Sequence, residues 1–484
     1  TGTRNVAVGN EALDANVTGN DNVAMGRNSL SASTTTDNTA VGASALRDST
    51  SGAQNTAVGA YCLRRNTAGA DNVSVGAYSL DANTTANNNT SIGAFAMTAN
   101  TTGGDNVALG RVALGANISG NGNVAIGYAC LDANTTADSN TGVGKHCLTT
   151  NTTGNENVAV GRGAMYNNTT GENNTALGYS ALDVNTTANK NTAVGHSALK
   201  ANLTGHSNVG VGALALQSNT TGIRNVAMGE GALGSNLTGS TNTGIGHRAL
   251  QSFQGSAGEC TAVGSFSQSN NSSGPDNNSF GYDSLASLTT GSYNCAFGNT
   301  SGDAITTGTH NTAIGQSAGG TCTTGTHNLF LGNGAGASET TTSNQLWIAR
   351  SDTGVSNAAT WIYGNSAGAC YQGNNSSSWT TTSDERIKKD IVDSPYGLAK
   401  ISALQVRNFN YRTPEEITVD GLTNCDAVGL QTGVIAQEIE TVLPNAVTTG
   451  KSGTKQVNTD PIFWAMVKAI QELSAKVTAL ENNV

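Results

Sequence analysis

The stretch Asn5-Val6-Ala7-Val8-Gly9 returns along most of the chain, and that recurrence decides what the chain can fold into. Near-copies begin at Asn22, Asn38, Asn55, Asn72, Asn89 and Asn106. They continue at Asn123, Asn140, Asn157, Asn174, Asn191, Asn208, Asn225 and Asn242. Weaker copies start at Cys260, Asn277, Asn294, Asn311 and Asn328, with a last, degenerate one at Asn344. The step is 17 residues, with single slips of 16 or 18. A fixed step of this size marks a stacked solenoid, whose units bury their apolar faces only against their neighbours.

Take the Asn as position zero. Position three is a large apolar residue (Val8, Met25, Val41, Ile92, Leu109), position one is Val or Thr, and position two is mostly Ala, Ser or Gly. This is a short strand of period two with one apolar and one small edge. Position four is Gly in every copy but the last, as a corner with φ > 0 requires. A second apolar pair follows at positions seven and eight (Ala45-Leu46, Ala181-Leu182), then Asn-Thr-Thr-Gly or a variant, which is turn chemistry. An amphipathic helix is excluded because each apolar run is three or four residues long and Gly interrupts it. The expected fold is therefore an all-β parallel β-solenoid of 17-residue coils over residues 1–348, a rod on the order of 100 Å long at the usual strand spacing. Position three is expected to line its core, with Asn and Thr stacked in ladders along its surface. With 37% hydrophobic and 5% aromatic residues the core is thin, and the small face at position two is expected to pack against sister chains.

A net charge of −10 with only 12% charged residues argues against non-specific binding to nucleic acid or anionic membranes. No run of about 18 apolar residues is present, so no membrane insertion by a helix is expected. No signal peptide precedes the first coil, and an N-terminal attachment region is expected to lie outside this sequence. Cys62, Cys130 and Cys147 occupy the Ala slot at position seven and read as free, buried, small apolar residues. Asn16, Asn83, Asn134 and Asn151 begin Asn-x-Ser/Thr triplets but fit turns and ladders more simply than glycan acceptors. His310 and His327 lie one coil apart without a third ligand, so neither metal nor cofactor is expected.

From residue 277 aromatics enter position three (Phe280, Phe297), where they are expected in the core. Gln345–Ile348 and Trp361–Tyr363 then read as a cap. Residues 349–382 are cap and linker. Beyond Ser383 the composition changes: four of five prolines and ten of 23 Lys and Arg lie there, but only six of 61 glycines. Residues 383–484 read as a separate α+β domain. It contains a short helix over Val434–Val442 and a closing helix from Ile462 with Val467, Ile470, Leu473, Val477, Leu480 and Val484 stepping by three and four, a coiled-coil seam.

Three segments carry a resemblance: Thr382-Ser383-Asp384-Glu385-Arg386-Ile387-Lys388-Lys389-Asp390-Ile391, Gly433-Val434-Ile435-Ala436-Gln437-Glu438-Ile439-Glu440, and Val467-Lys468-Ala469-Ile470-Gln471-Glu472-Leu473. In order, they resemble the signatures of the intramolecular chaperone of phage endosialidases and tail fibres, also classed as peptidase S74. The repeats resemble the arrays that precede such chaperones in phage fibres, and the β-roll heads of trimeric bacterial adhesins. The resemblance implies a homotrimer whose last domain guides folding and is released by cleavage of Thr382–Ser383, with Ser383 as nucleophile and Lys388 as its base. A hydroxyl needs such a base before it can attack a carbonyl. Ser383 before Asp384 and Glu385 also fits an ordinary helix N-cap.

The leading expectation is a virion tail fibre or spike, made in the host cytoplasm, joined to a virion adapter through the N-terminal region outside this sequence, that reaches a host-cell receptor, glycan or protein. A polysaccharide depolymerase is the runner-up, since such chaperones often accompany glycan-cleaving spikes. It would need paired carboxylates, whereas Asp14, Asp81, Asp132 and Asp183 share one repeat position but never adjacent coils. A bacterial adhesin is disfavoured because neither export signal nor membrane anchor is seen. Tyr61, Tyr78, Tyr128 and Tyr179 are surface aromatics of the kind that stack on sugars, though scattered exposed Tyr is ordinary.

Overall fold

The computed structural model describes residues 2–256, 258–336, 340–349, 360–366, 370–372, 388–413, 416–417, 429–450 and 453–482. The chain divides into two compact units, Thr1–Ser378 and Trp379–Val484.

In the first unit every repeat forms one coil with one three-residue strand, from β1 (Val6–Val8) to β20 (Leu329–Leu331). Each strand pairs in parallel with the same positions one coil on, Val6 with Val23 and Ala7 with Ala24, giving a single continuous ladder. The register persists across the 16-residue and 18-residue coils, where Val23 meets Thr39 and Thr243 meets Thr261. It also corrects the last copy. Leu346 pairs with Leu329, so position zero is Gln345 rather than Asn344.

The two faces of the strand are the reverse of the sequence expectation. Position two points inward: Ala24, Ala40, Ala57, Ala108 and Ala125 are fully buried. Position three points outward, with Val8 56%, Leu109 44% and Phe297 58% exposed. Phe280 and Phe297 are thus outside the core, packed ring to ring at 5.6 Å. The reason is room. The interior is already filled by the position-eight leucines, Leu46, Leu63 and Leu131 among them, and by the small residues at position seven. A Cβ added at Gly142, a position-two residue, would lie 2.5 Å from Cys130 Sγ, and one at Gly210 would lie 3.3 Å from Leu199 Cγ. Only a small side chain fits there. Toward the C-terminal end the arrangement inverts: Phe330 and Trp347 take position two, and Gly319 and Gly336 replace Leu at position eight, where any Cβ would strike the Phe330 ring.

Asparagine supplies the rest of the interior. At position zero, Asn106 Nδ2 donates to the Gly120 carbonyl at 2.9 Å, and Asn106 Oδ1 accepts the Asn123 backbone N–H at 2.8 Å. A second ladder runs at position eleven, where Asn117 Nδ2 donates to Asn100 Oδ1 at 2.7 Å and to the Gly120 carbonyl at 3.0 Å. The asparagine ladders are therefore internal, not superficial. The threonine ladder does lie near the surface, Thr67 Oγ1 donating to the Thr84 carbonyl at 3.0 Å. Tight turning costs backbone strain: Leu at position eight holds φ near +50° (Leu46 50°, Leu131 52°), a region L residues avoid.

The parallel ladder is followed by antiparallel strands, which act as its cap. Strand β21 (Leu346–Ala349) pairs with β22 (Thr360–Gly364), which pairs with β23 (Cys370–Gln372). Trp347 is buried beneath this cap, 6.0 Å from the Tyr363 ring.

The second unit holds α1 (Leu398–Ile401), β24 (Arg407–Phe409), β25 (Gln431–Gly433), α2 (Ala436–Val442), a 3-10 turn Pro444–Ala446, β26 (Val447–Thr449), β27 (Lys455–Val457) and α3 (Thr459–Glu481). Strands β24 and β25 form one antiparallel pair and β26 and β27 another. Ile439, Leu443, Ala446 and Ala465 make its small core.

Candidate functional site

The described parts of the second unit are tied together by its polar side chains. Glu438 on α2 pairs with Arg407 on β24 through two bonds, of 3.1 and 2.9 Å. Glu440, also on α2, accepts from Lys455 Nζ on β27 at 2.6 Å. Glu472 on α3 accepts the Leu398 N–H at the start of α1 at 2.8 Å. That approach requires Gly397, since a Cβ there would collide with the Glu472 carboxylate. Lys468 reaches Asp393 at 3.4 Å. Four residues from the second and third signature segments thus fix the internal packing of this unit. Their partners, Arg407, Asp393, Leu398 and Lys455, escaped sequence reasoning because no local pattern links residues 15 to 75 positions apart.

One face of α3 is left bare. Ala465 and Ala469 are buried against the unit, whereas Ile470, Leu473, Val477 and Leu480 are each close to half exposed or more. These four keep the alternating step of three and four expected of a coiled-coil seam. Val484 lies outside the described residues.

Residues 383–448 match the family model described as the chaperone of endosialidase, Peptidase_S74. The C-terminal unit carries a chaperone of endosialidase domain. The match begins at Ser383 and includes the first two signature segments; the third, on α3, lies beyond it. No solved structure matches the chain. Of the residues assigned to cleavage, Thr382 and Ser383 lie outside the described residues, as does the acidic turn after them. Lys388 is described and exposed at the start of the chaperone unit.

The rod supplies the remaining candidates. Asp132, Asp183 and Asp303 all stand at position nine, half-buried, and burial raises each carboxyl above its ordinary range. Asp132 and Asp183 are three coils apart, roughly 14 Å at the usual strand spacing, too far for the paired carboxylates of glycoside hydrolysis. Asn83, Asn134 and Asn151 are fully buried with their amides bonded within the ladder, so as they stand they are structural rather than glycan acceptors. Cys62, Cys130 and Cys147 are free and buried, and burial pushes the Cys62 thiol up to about 11. His310 and His327 stack at 4.7 Å, continuing from Tyr293, and no group of three metal-ligating side chains is found among the described residues.

The surface aromatics are not scattered. Tyr61, Tyr78 and Phe95 stack face to face at 4.9 and 5.3 Å, so the faces of Tyr78 are covered by its neighbours and present no platform for a sugar. Cations also lie over the tyrosine rings: Arg64 at Tyr61, Arg111 and Lys145 at Tyr128 and Arg162 at Tyr179, 5.3 to 5.9 Å from the ring centres.

Proposed function

We propose that this chain is a tail-fibre or tailspike subunit, a homotrimeric rod for host attachment whose assembly is guided by its chaperone of endosialidase domain. The observation that carries the reading is a pair of uncovered apolar surfaces on one chain. The rod presents positions one and three outward along its strands, for example Val6 49%, Val107 36%, Leu177 45% and Phe297 58% exposed. The closing helix presents Ile470, Leu473, Val477 and Leu480. An apolar stripe of this kind, continuous at position three and shared with Thr at position one, marks an association surface. Each copy of the chain carries the same stripe at the same spacing, so further copies of this chain are the fitting cover. The trimeric number is what the chaperone family implies. The small face is buried within each coil, so the sheet face with large residues replaces it as the contact between chains.

A repeating stripe also explains a chaperone. Three such rods can slip by one coil and keep most contacts, and long parallel pairing is slow and prone to misassembly. A terminal trimerising unit fixes register before the rod closes. Its release would then leave the rod kinetically trapped: Ser383 Oγ attacks the Thr382 carbonyl as Lys388 takes its proton, the Thr382–Ser383 C–N bond breaks with a proton passing to the freed amine, and water hydrolyses the resulting ester. Gold-labelled antibody against residues 1–348 tests the attachment role on phage particles that encode the chain. Decoration of the tails is expected, and tails left bare while the protein is found elsewhere would contradict it. Mass spectrometry of the purified protein tests cleavage. A fragment beginning at Ser383, lost in both Ser383→Ala and Lys388→Ala, is expected, and equal fragments from wild type and Lys388→Ala would remove Lys388 from the mechanism.

A further inference from the structure

Position five, just past the glycine corner, carries Arg111, Tyr128, Lys145, Arg162, Tyr179 and His196 on six consecutive coils. All six are exposed. On four of these six coils the other end of the strand carries an acid: Asp105 and Glu156 at the residue before the Asn, Asp138 and Glu172 one further back; the coil of Tyr128 has Asn121-Gly122 there and that of His196 has Lys190. Six or seven residues, among them the three-residue strand and the glycine corner, separate the two sets. Position five of this run thus carries no acid, in a protein whose net charge is −10. The other carboxylates on these coils, Asp132 and Asp183, are half-buried at position nine. Rings and cations are mutually braced: Arg111 and Lys145 lie 5.9 and 5.5 Å from the Tyr128 centre, Arg162 lies 5.7 Å from that of Tyr179, and His196 stacks on Tyr179 at 5.4 Å. Such bracing holds the side chains in place and lowers the entropy lost on binding.

We propose that this ladder is a binding track for an anionic polysaccharide. Its six coils span about 24 Å, long enough for several sugar units laid along the rod axis. The three cations meet carboxylate or phosphate groups, guanidinium forks being especially suited to both. The exposed edges of Tyr128 and Tyr179 give the sugar rings an amphipathic surface between the charges. A linear ligand suits a track whose recognition elements repeat with every coil.

The inference rests on the attachment reading and adds the chemistry of the receptor. The test uses the full-length assembled protein over immobilised polygalacturonate, poly(glycerol phosphate), neutral dextran and single-stranded DNA. Wild type is expected to bind one or both charged glycan-type polymers and not dextran, more weakly as salt rises. The R111Q/K145Q/R162Q variant is expected to lose about ten-fold or more in affinity, while the charge-matched control K190Q/K200Q/R224Q changes by less than about two-fold. Which polymer is retained distinguishes carboxylate from phosphate recognition. Absence of binding to both polymers, equal losses in variant and control, or tighter binding to the DNA would each overturn the proposal. A triple variant that still decorates cells like wild type would sink the track but leave the attachment reading standing. Unlabelled tails would do the reverse.

Discussion

Asparagine does in this rod what hydrophobic side chains do in most cores. The ladder asparagines bond backbone groups of their own coil and side chains of the coils beside it, so the narrow interior is filled with side-chain amides that are almost all satisfied. The rule shows at its exception. Asn236 Oδ1 is buried without a partner, because Phe253 stands where the next ladder asparagine would donate to it. Its neighbours differ: Asn134 donates to Asn117 Oδ1 at 2.8 Å and accepts from Asn151 at 3.2 Å. Asn134→Ala is therefore expected to cost about 1–3 kcal/mol per chain by stranding buried partners on both sides. Asn236→Ala should cost less, since it removes an atom that is already unsatisfied. Thermal melting of the two variants beside wild type checks the order, and equal losses would mean the ladder is not continuous in energy.

The coils were legible in the sequence because their corners are chemically compulsory: Gly at position four, Asn at zero and a turn cluster after position eight. The facing of the strand was not. Hydrophobicity alone ranks Val8 above Ala7 for the interior, but the space left by Leu at position eight admits only the smaller residue. Likewise Phe330 entered position two only where Gly319 and Gly336 had vacated position eight, a compensation between coils that no single repeat displays. In the chaperone unit, α2 and α3 were readable from their periodicity, whereas the short paired strands were not, since their partners are distant in sequence. The bare side of α3 gives a prediction at this scale. Leu473→Asp with Val477→Asp should leave the monomeric unit's buried contacts, which run through Ile439, Leu443 and Ala465, untouched. It should nevertheless prevent association, because burying unpaired carboxylates at a helix seam is strongly unfavourable. Sedimentation analysis of residues 1–484 carrying both changes checks this. Assembly equal to wild type would show that the seam has no part in it.

For the whole molecule, a single coil is a poor folding unit. It contains three-residue strands, a thin core and left-handed residues at several positions, and depends on the coils above and below for the hydrogen bonds of its strand. Stability must therefore come from stacking along the rod and from covering the outward apolar stripe. A slipped register would threaten both, and under the proposed function a domain that pairs the chains at one end removes the threat before it arises. The central claim is that the rod's outer sheet face is a contact between three copies. Native mass spectrometry of the protein at neutral pH tests it most directly. Three times the chain mass of 48.8 kDa is expected, or three times that of residues 1–382 after cleavage. A folded, soluble particle with the mass of one chain would contradict the account.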